Sequence, residues 1–376
     1  MSGFPDYLRA LIGSEGPQPL ERVMAEALGH PAHGYYVGRD PFGTAGDFVT
    51  APEISQMFGE FIGLWCVASF EQMGAPTRFR LIELGPGRGT LMADALRASS
   101  RMARFHDALE IHLVETSPVL RRTQRTTLGD RRVTWHDRLD DVPDGAAIIL
   151  ANEFFDALPV RQLVTTPEGW RERAVSLDDD GATFRFATAT RAPSAVPAWL
   201  PPAARLPLGS VAEHSPAREA TVAMVGARLA SFGGAALIID YGHAASAPGD
   251  TLQAVRAHRM VPVLEALGDA DLTAHVDFAA LAGVARTHGA KSWGPITQGR
   301  FLTTLGIEAR AARLSAGATL DQASAVEAAW HRLTAHEMMG RLFKVLALTP
   351  RNAAAPAGFE GLKGTSEAAE AALAHG

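Results

Sequence analysis

The sequence has little cysteine and no long apolar run. Cys66 is the only cysteine in 376 residues, so no intrachain disulfide and no cysteine-based structural zinc site can form. A helix that spans a bilayer needs about 18 consecutive apolar residues, and the sequence contains no such stretch. Residues 1–6 lack the basic start and apolar run of a secretory signal. These absences predict a cytoplasmic protein of a reducing compartment, without membrane insertion. The heavy use of Ala, and of Arg over Lys, indicates a bacterial source.

Clustered positive charge is also lacking. The formal net charge is −6, whereas a nucleic-acid surface needs grouped Lys and Arg side chains. We therefore expect no nucleic-acid partner and a small-molecule or basic-peptide substrate. His336-Glu337 begins like the helix of a zinc protease, but position 340 holds Gly340 instead of a second histidine. We accordingly predict no metal site.

Hydrophobic periodicity indicates an α/β protein. Between residues 79 and 150, short apolar runs alternate with amphipathic stretches, which is typical of βαβ units and a parallel sheet. Helical spacing dominates before this region, and β-hairpins are expected from 161 to about 186. The apolar run 235–242 predicts that the sheet resumes after an insertion. A long C-terminal helix is expected over about 320–348.

A glycine-rich turn follows the first predicted strand. The spacing is Gly85-x-Gly87-x-Gly89, with Glu83 on the strand just before it. Such a turn lets backbone approach a ligand and directs helix-terminal N–H groups towards it. The spacing is not the dinucleotide form G-x-G-x-x-G, which disfavours a nicotinamide enzyme. It resembles motif I of class I methyltransferases, and a ligand-free tight turn is the alternative interpretation.

Further acidic side chains follow the next predicted strands. Glu115 comes at the end of the second strand and could accept hydrogen bonds from two ribose hydroxyls, because ligands of open α/β sheets bind at the carboxyl ends of strands. His136-Asp137 follows the third strand and could meet an adenine ring and its amino group. A solvated acid and a plain polar turn are the respective alternatives.

The fourth predicted strand ends in a segment with two acids and two aromatic residues. Asn152 opens this segment and is assigned to the cofactor, whereas Glu153 and Asp156 are the candidate catalytic residues. A guanidinium group stays protonated and pairs with carboxylates through a planar fork. The two acids could therefore orient an arginine substrate and favour loss of its proton. Capping of a following helix is the alternative role.

The loop that precedes the sheet is predicted to be a lid. Gly43 and Gly46 supply conformational freedom. Asp47 or Thr50 is expected near the methionine portion of the cofactor, with Phe48 excluding water. A static loop packed on the core is the alternative.

Five segments together resemble the complex I assembly-factor methyltransferases of mitochondria and bacteria. They recur in family order and are 46–60, 83–90, 152–159, 238–242 and 294–302. The resemblance implies a Rossmann-like class I methyltransferase fold, S-adenosyl-L-methionine as cofactor and methylation of arginine in a protein, with a respiratory complex I subunit as candidate partner. A homodimer is a further hypothesis. The alternatives are a non-catalytic assembly chaperone and a nicotinamide-dependent oxidoreductase.

These inferences predict five regions of the chain. They are an N-terminal helical region with the cofactor lid (1–75), an S-adenosyl-L-methionine-binding Rossmann-like core (76–160), a β-rich and helical substrate-side insertion (161–232), the completion of the sheet with C-terminal helices (233–350) and a flexible tail (351–376).

Overall fold

The computed structural model describes residues 3–38 and 50–362. The helices in chain order are α1 (Phe4–Glu15), α2 (Leu20–Gly29), α3 (Tyr35–Gly38), α4 (Ala51–Ile54), α5 (Gln56–Gln72), α6 (Thr90–Ala98), α7 (Ala103–Ala108), α8 (Pro118–Leu128), α9 (Pro216–Phe232), α10 (Phe278–Thr287), α11 (Gln298–Leu305), α12 (Ile307–Ser315) and α13 (Leu320–Thr334). The strands are β1 (Gln18–Pro19), β2 (Phe79–Leu84), β3 (Leu109–Val114), β4 (Val133–His136), β5 (Ala147–Asn152), β6 (Arg161–Thr166), β7 (Gly169–Leu177), β8 (Phe184–Thr188), β9 (Val211–His214), β10 (Gly234–His243), β11 (Gln253–Arg256), β12 (Arg259–Val261), β13 (Asp271–Thr273), β14 (Val276–Asp277), β15 (Ala290–Thr297) and β16 (Phe343–Pro350).

The chain divides into two compact units. The first, called the sheet unit, comprises Val49–Phe155, Thr221–Ala244 and Phe278–Gly376. The second, called the accessory unit, comprises Met1–Phe48, Asp156–Ala220 and Ala245–Asp277. The sequence patterns did not predict that the first helices would group with two later segments of the chain.

The sheet unit is built on a mostly parallel sheet. Its strand order is β15-β16-β10-β5-β2-β3-β4. The neighbours from β10 to β4 pair in parallel, whereas β16 is antiparallel to both β10 and β15. Every residue of β2 is buried, as expected for a parallel strand covered on both faces. The Rossmann-like α/β sheet predicted from the alternating apolar runs is confirmed.

The strand order reverses between β2 and β5. From β2 the chain builds outwards to β3 and β4, and it then returns to place β5 on the other side of β2. Connections leave in opposite directions at such a point, which opens a crevice at the carboxyl ends of the two strands. The glycine-rich turn follows β2, and the segment with two acids follows β5.

The predicted C-terminal helix over 320–348 is wrong in its second half. Helix α13 ends at Thr334, a single π-helical turn covers His336–Gly340, and Phe343–Pro350 is strand β16. Five of its eight residues in succession, 345–349, are buried. A strand buried on both faces has no period-2 pattern, so its short apolar run cannot be told from a buried helix by periodicity.

The accessory unit contains two small antiparallel sheets. One has the order β1-β7-β6-β9, with β8 on β7, and the other has the order β12-β11-β13. Helices α1 and α2 contribute an apolar core that includes Leu8, Leu20 and Met24. The hairpins expected from 161 to 186 are present as β6, β7 and β8.

In the described part of the chain, no helix has both the length and the apolar character needed to span a bilayer.

Candidate functional site

The turn between β2 and α6 has a backbone that favours glycine. Gly85, Gly87 and Gly89 have φ values of 60°, 53° and 81°, in the left-handed region that glycine reaches without steric cost. A Cβ atom at Gly85 would lie 2.7 Å from Cδ2 of Phe154. The backbone N–H of Gly85 donates to the carbonyl of Val114 at 3.0 Å, which ties the turn to β3.

Glu83 is a buried acid beside this turn. Its side chain lies on β2 and the residue is 3% exposed. Among the described residues, its Oε2 atom is buried and has no hydrogen-bond partner. Burial raises the pKa of the Glu83 carboxyl to about 8. An unpaired buried carboxyl is costly, and this atom can accept a hydrogen bond from a ligand N–H or O–H group.

Glu115 follows β3 directly and is held in a defined orientation. Its Oε1 accepts from the backbone N–H of Ser117 at 2.7 Å, and its Oε2 accepts from Nε2 of Gln124 at 3.2 Å. Burial raises the pKa of the Glu115 carboxyl, and the hydrogen bonds from Ser117 and Gln124 oppose that rise. A carboxylate offers about four acceptor positions, so this one retains acceptor capacity for hydroxyl groups.

Gln124 is a site residue that the sequence patterns did not indicate. It lies on α8, is fully buried, and contacts both the glycine turn and Glu115. Its Nε2 donates to the carbonyl of Gly87 at 2.7 Å, and its Oε1 accepts from Nε1 of Trp135 at 2.8 Å. A single glutamine in a helix resembles a surface residue in sequence. Its position on the buried stripe between Leu120 and Leu128 was the available signal.

Asp137 is more exposed than the other predicted cofactor residues. Its side chain is 72% exposed and forms an ion pair with Arg121 at 2.8 Å. The Nε of Arg121 also donates to the backbone carbonyl of Glu115 at 2.7 Å. One guanidinium group therefore connects the residues that follow β3 and β4. Arg121 is itself only 23% exposed, as this bridging role requires.

The end of β5 carries an unusual backbone conformation. Glu153 has φ of 49°, which is uncommon for a residue with a side chain. Its backbone N–H donates to the carbonyl of Ile239 at 2.9 Å. Nδ2 of Asn152 donates to Oε1 of Glu153 at 3.3 Å, whereas Oδ1 of Asn152 is buried without a partner among the described residues.

The segment that leads into α4 lies at the same end of the sheet. The backbone N–H of Ala51 donates to Oε1 of Glu153 at 2.9 Å. Oγ1 of Thr90, the first residue of α6, donates to Oε1 of Glu53 at 2.5 Å. Thr50 is 7% exposed and precedes α4. The other predicted lid residues, Gly43, Gly46, Asp47 and Phe48, lie outside the described residues.

Asp156 belongs to the accessory unit, unlike Glu153. It is 6% exposed, and its Oδ1 accepts from the backbone N–H of Ala157 at 2.9 Å. Its backbone carbonyl accepts from Nη2 of Arg218 at 3.0 Å and from the N–H of Ala274 at 3.1 Å. The predicted joint action of Asp156 with Glu153 stays a prediction.

The site in the sheet unit is rich in hydrogen-bond acceptors. Buried oxygen atoms of Glu83 and Asn152 lack partners among the described residues, and Glu115 retains acceptor capacity. In the ranges 3–38 and 50–362, no three His, Cys, Asp or Glu side chains form a group that could hold a metal ion. The acceptors fit a ligand with an ammonium group and several hydroxyls, which are the donors of S-adenosyl-L-methionine.

Comparisons with known proteins identify the same chemistry. A profile of a family described as S-adenosyl-L-methionine-dependent methyltransferases matches residues 61–296. "Protein arginine methyltransferase NDUFAF7 homolog, mitochondrial" from Drosophila melanogaster is 39% identical, covering 91% of this chain and 84% of its own. The corresponding Homo sapiens protein, "Protein arginine methyltransferase NDUFAF7, mitochondrial", is 37% identical, covering 92% and 82%.

A solved structure agrees with these relatives. A Burkholderia thailandensis protein, described as a "likely methyl transferase" and bound to S-adenosyl-homocysteine, superimposes with a TM-score of 0.83 at 32% identity. The match covers 97% of this chain and 96% of that one. It supports use of S-adenosyl-L-methionine, the cofactor that yields S-adenosylhomocysteine on methyl transfer.

The expected bacterial, cytoplasmic localisation is contradicted by these relatives. The names of the matched Drosophila, mouse and human proteins describe them as mitochondrial. The expectation came from missing sequence signals, and such absences do not identify a compartment.

The reversal of strand order, the glycine turn and the family match agree on the chemistry: the chain belongs to the family of S-adenosyl-L-methionine-dependent methyltransferases.

Proposed function

We propose that this methyltransferase modifies arginine in a protein and that its substrate is a subunit of respiratory complex I. The names of the Drosophila and human relatives support arginine as the target. The resemblance to complex I assembly-factor methyltransferases supports the choice of substrate. The observation that carries the cofactor assignment is the buried Oε2 of Glu83 beside the glycine turn, which has no partner among the described residues.

We assign the cofactor contacts by chemical complementarity. Glu83 accepts from the ammonium group, while the backbone of Gly85, Gly87 and Gly89 allows close approach. Glu115 accepts from the ribose hydroxyls. The assignment of these residues is supported by their positions at the carboxyl ends of β2 and β3, where open α/β sheets bind ligands.

Four further residues complete the proposed cofactor site. Asp137 accepts from the adenine amino group at the exposed end, next to Arg121. The buried Oδ1 of Asn152 accepts from the amino-acid portion of the cofactor. Thr50 and Asp47 belong to the predicted lid. For Asp47 we expect Asp47→Ala to raise KM for the cofactor more than it lowers kcat, as steady-state kinetics will measure.

The carboxylates at the end of β5 act on the substrate arginine. When bound, S-adenosyl-L-methionine would supply an electrophilic methyl group for a guanidinium nitrogen, with cleavage of its carbon–sulfur bond and S-adenosylhomocysteine as the leaving group. Glu153 holds the guanidinium group in line and accepts the proton that the methylated nitrogen releases. Asp156 is the second candidate acid, and its contribution is tested separately by its own variant. Positioning contributes most of the rate increase, because such a displacement needs aligned reactants more than a strong base.

Labelled S-adenosyl-L-methionine tests this function directly. The protein is incubated with purified complex I subunits, and mass spectrometry locates the transferred methyl groups. We expect label on arginine, and a large loss of transfer in Glu153→Gln and Asp156→Asn. Asp140→Asn, at an exposed acid paired with Arg138, is the matched control and keeps wild-type transfer.

The outcomes separate the remaining hypotheses. Cofactor binding without transfer to any subunit would indicate the assembly chaperone instead of the enzyme. Transfer to a residue other than arginine would overturn the substrate assignment and leave the methyltransferase intact. The homodimer stays a prediction, which sedimentation velocity tests.

A further inference from the structure

Helix α8 buries a polar side chain where its packing pattern calls for an apolar one. The buried residues of α8 are Leu120, Gln124 and Leu128, spaced four apart on one stripe. The side chain of Gln124 is completely shielded from solvent. Burial of an amide costs free energy unless its hydrogen bonds are made. Its presence on this stripe therefore needs a specific set of partners.

The partners of Gln124 determine the orientation of its amide. The indole Nε1 of Trp135 can only donate, so the amide oxygen must face it, at 2.8 Å. The carbonyl of Gly87, at 2.7 Å, and the carboxylate of Glu115, at 3.2 Å, can only accept from the amide nitrogen. Both hydrogens and the oxygen of the amide are thus used, and no other natural side chain of this size offers the same set.

These three bonds join three separate cofactor segments. Gly87 belongs to the glycine turn, Glu115 follows β3, and Trp135 lies on β4 two residues before Asp137. Gln124 reaches all of them from a helix that carries none of the assigned cofactor contacts. Its bond to Oε2 of Glu115 also restricts rotation of that carboxylate, whose Oε1 is held by Ser117.

We propose that Gln124 is a positioning residue for ribose recognition, which orients the Glu115 carboxylate towards the two ribose hydroxyls of the cofactor without touching the cofactor itself. This inference rests on the proposed function, because it requires Glu115 to bind the ribose. It adds a residue that sets cofactor specificity from outside the ligand contacts.

Binding of S-adenosylhomocysteine and its 2′-deoxy analogue tests the proposal. In the wild-type protein, loss of one hydroxyl that donates to a carboxylate should weaken binding roughly tenfold to hundredfold. Gln124→Met keeps the length of the side chain but neither donates nor accepts strongly. We call the factor by which the 2′-deoxy analogue binds more weakly than S-adenosylhomocysteine the deoxy penalty. We expect this variant to bind S-adenosylhomocysteine more weakly and to have a deoxy penalty of about twofold or less. Calorimetry of both ligands with both proteins gives the four affinities.

Two further variants separate positioning from general destabilisation. Leu128→Ala lies on the same buried stripe and removes packing alone, so it should lower stability and keep the full deoxy penalty. Gln124→Leu keeps a buried side chain of similar size and has no donor for Gly87 or Glu115, and it places no second charge beside the Glu115 carboxylate. It should lose the penalty as Gln124→Met does, and it replaces that variant if Gln124→Met does not fold.

Each result bears on one hypothesis. A full deoxy penalty in the folded Gln124 variants overturns the positioning role and leaves the proposed function in place. Wild-type binding of S-adenosylhomocysteine without a deoxy penalty removes Glu115 from the ribose site, and the positioning role fails with it. No binding of S-adenosylhomocysteine to the wild-type protein contradicts the proposed function itself.

Discussion

The backbone N–H of Ala51 donates to Oε1 of Glu153 at 2.9 Å, although the two residues are 102 positions apart in the chain. The contact joins the start of α4 to the end of β5. A second contact, from Thr90 to Glu53, joins the same segment to α6. Helix α4 is thus held on both sides of the point where the strand order reverses. Glu153 therefore has an anchoring role that is separate from its proposed role towards substrate.

Two substitutions at Glu153 distinguish these roles. Glu153→Gln keeps an oxygen that can accept from Ala51, so stability and cofactor affinity should stay close to wild type. It removes the charge that orients a guanidinium group, so kcat should fall by about two to three orders of magnitude. Glu153→Ala also loses the anchor, and the free energy of unfolding should fall by about 1–2 kcal/mol.

Kinetics, calorimetry and urea unfolding measure the three quantities. Wild-type kcat in Glu153→Gln, together with reduced stability in Glu153→Ala, would leave only the anchoring role. A loss of cofactor affinity in Glu153→Gln would place this side chain in the cofactor site instead.

Local sequence patterns were sufficient to predict the parallel sheet and the glycine turn. Strand β2 is a short, mostly apolar segment followed by three closely spaced glycines, and this signal lies within about a dozen residues. Strand β16 was missed because burial on both faces removes the alternation that distinguishes strand from helix. The grouping of Met1–Phe48 with later segments in the accessory unit depends on contacts between distant residues, which no local pattern encodes.

The candidate site residues also fall into two groups: those that a local sequence pattern indicates, and those whose role depends on contacts between distant residues. Glu83 and Glu115 could be predicted as candidates because acids at strand ends are visible in sequence. The importance of Gln124 depends on Gly87 and Trp135, and that of Ala51 depends on Glu153. These relationships arise only when the chain is folded, and the one sequence signal for Gln124 is its position on the apolar stripe of α8.

Gly85→Ala should reduce both stability and cofactor affinity. Gly85 has φ of 60°, and an added Cβ would lie 2.7 Å from the ring of Phe154. Gly306 is the control, because its φ of 94° and ψ of 27° lie in the left-handed region and an added Cβ would meet nothing within 4 Å. Both alanine variants carry the backbone strain of a positive φ, of about 1–2 kcal/mol. In Gly85→Ala alone, the free energy of unfolding should fall by about 1–3 kcal/mol more, because the added Cβ overpacks against Phe154.

Urea unfolding and calorimetry with S-adenosylhomocysteine check this comparison. Phe154→Ala combined with Gly85→Ala should recover part of the steric loss, because it removes the ring that the new Cβ meets. Equal stability losses in the two glycine variants would show that the turn can relax around the added atom.

Cofactor affinity should increase with pH up to about 8. Burial raises the pKa of Glu83 to about 8, whereas an ammonium group favours the ionised carboxylate. Binding therefore releases a proton below pH 8, and affinity for S-adenosylhomocysteine falls as pH is lowered. Calorimetry in buffers of different ionisation enthalpy counts that proton. Glu83→Gln should bind more weakly at pH 8 and should release no proton from this site, whereas proton release equal to wild type would assign the titration to another group.

The unliganded protein should lose stability as pH increases from about 4.5 to 8. Glu83 binds its proton more tightly in the folded state than in the unfolded state, since its folded pKa is about 8 and its ordinary value is 4.5. The unfolded state therefore carries fewer protons in this window, and the free energy of unfolding decreases with pH by up to about 1.4 kcal/mol per pH unit. The full loss is on the order of 4 kcal/mol and is complete above pH 8.

Urea unfolding at successive pH values, with wild type and Glu83→Gln compared at each, isolates this contribution. The variant cannot titrate at this position, so its stability relative to wild type should increase steadily across the window and level off above it. Glu110→Gln is the control of opposite sign, because Arg78 lowers the pKa of Glu110 and its effect should appear only as pH falls below about 4.5. A constant difference between wild type and Glu83→Gln from pH 5 to 8 would mean that the Glu83 carboxylate is already ionised and paired without ligand, which would remove the main support for its contact with the cofactor ammonium group.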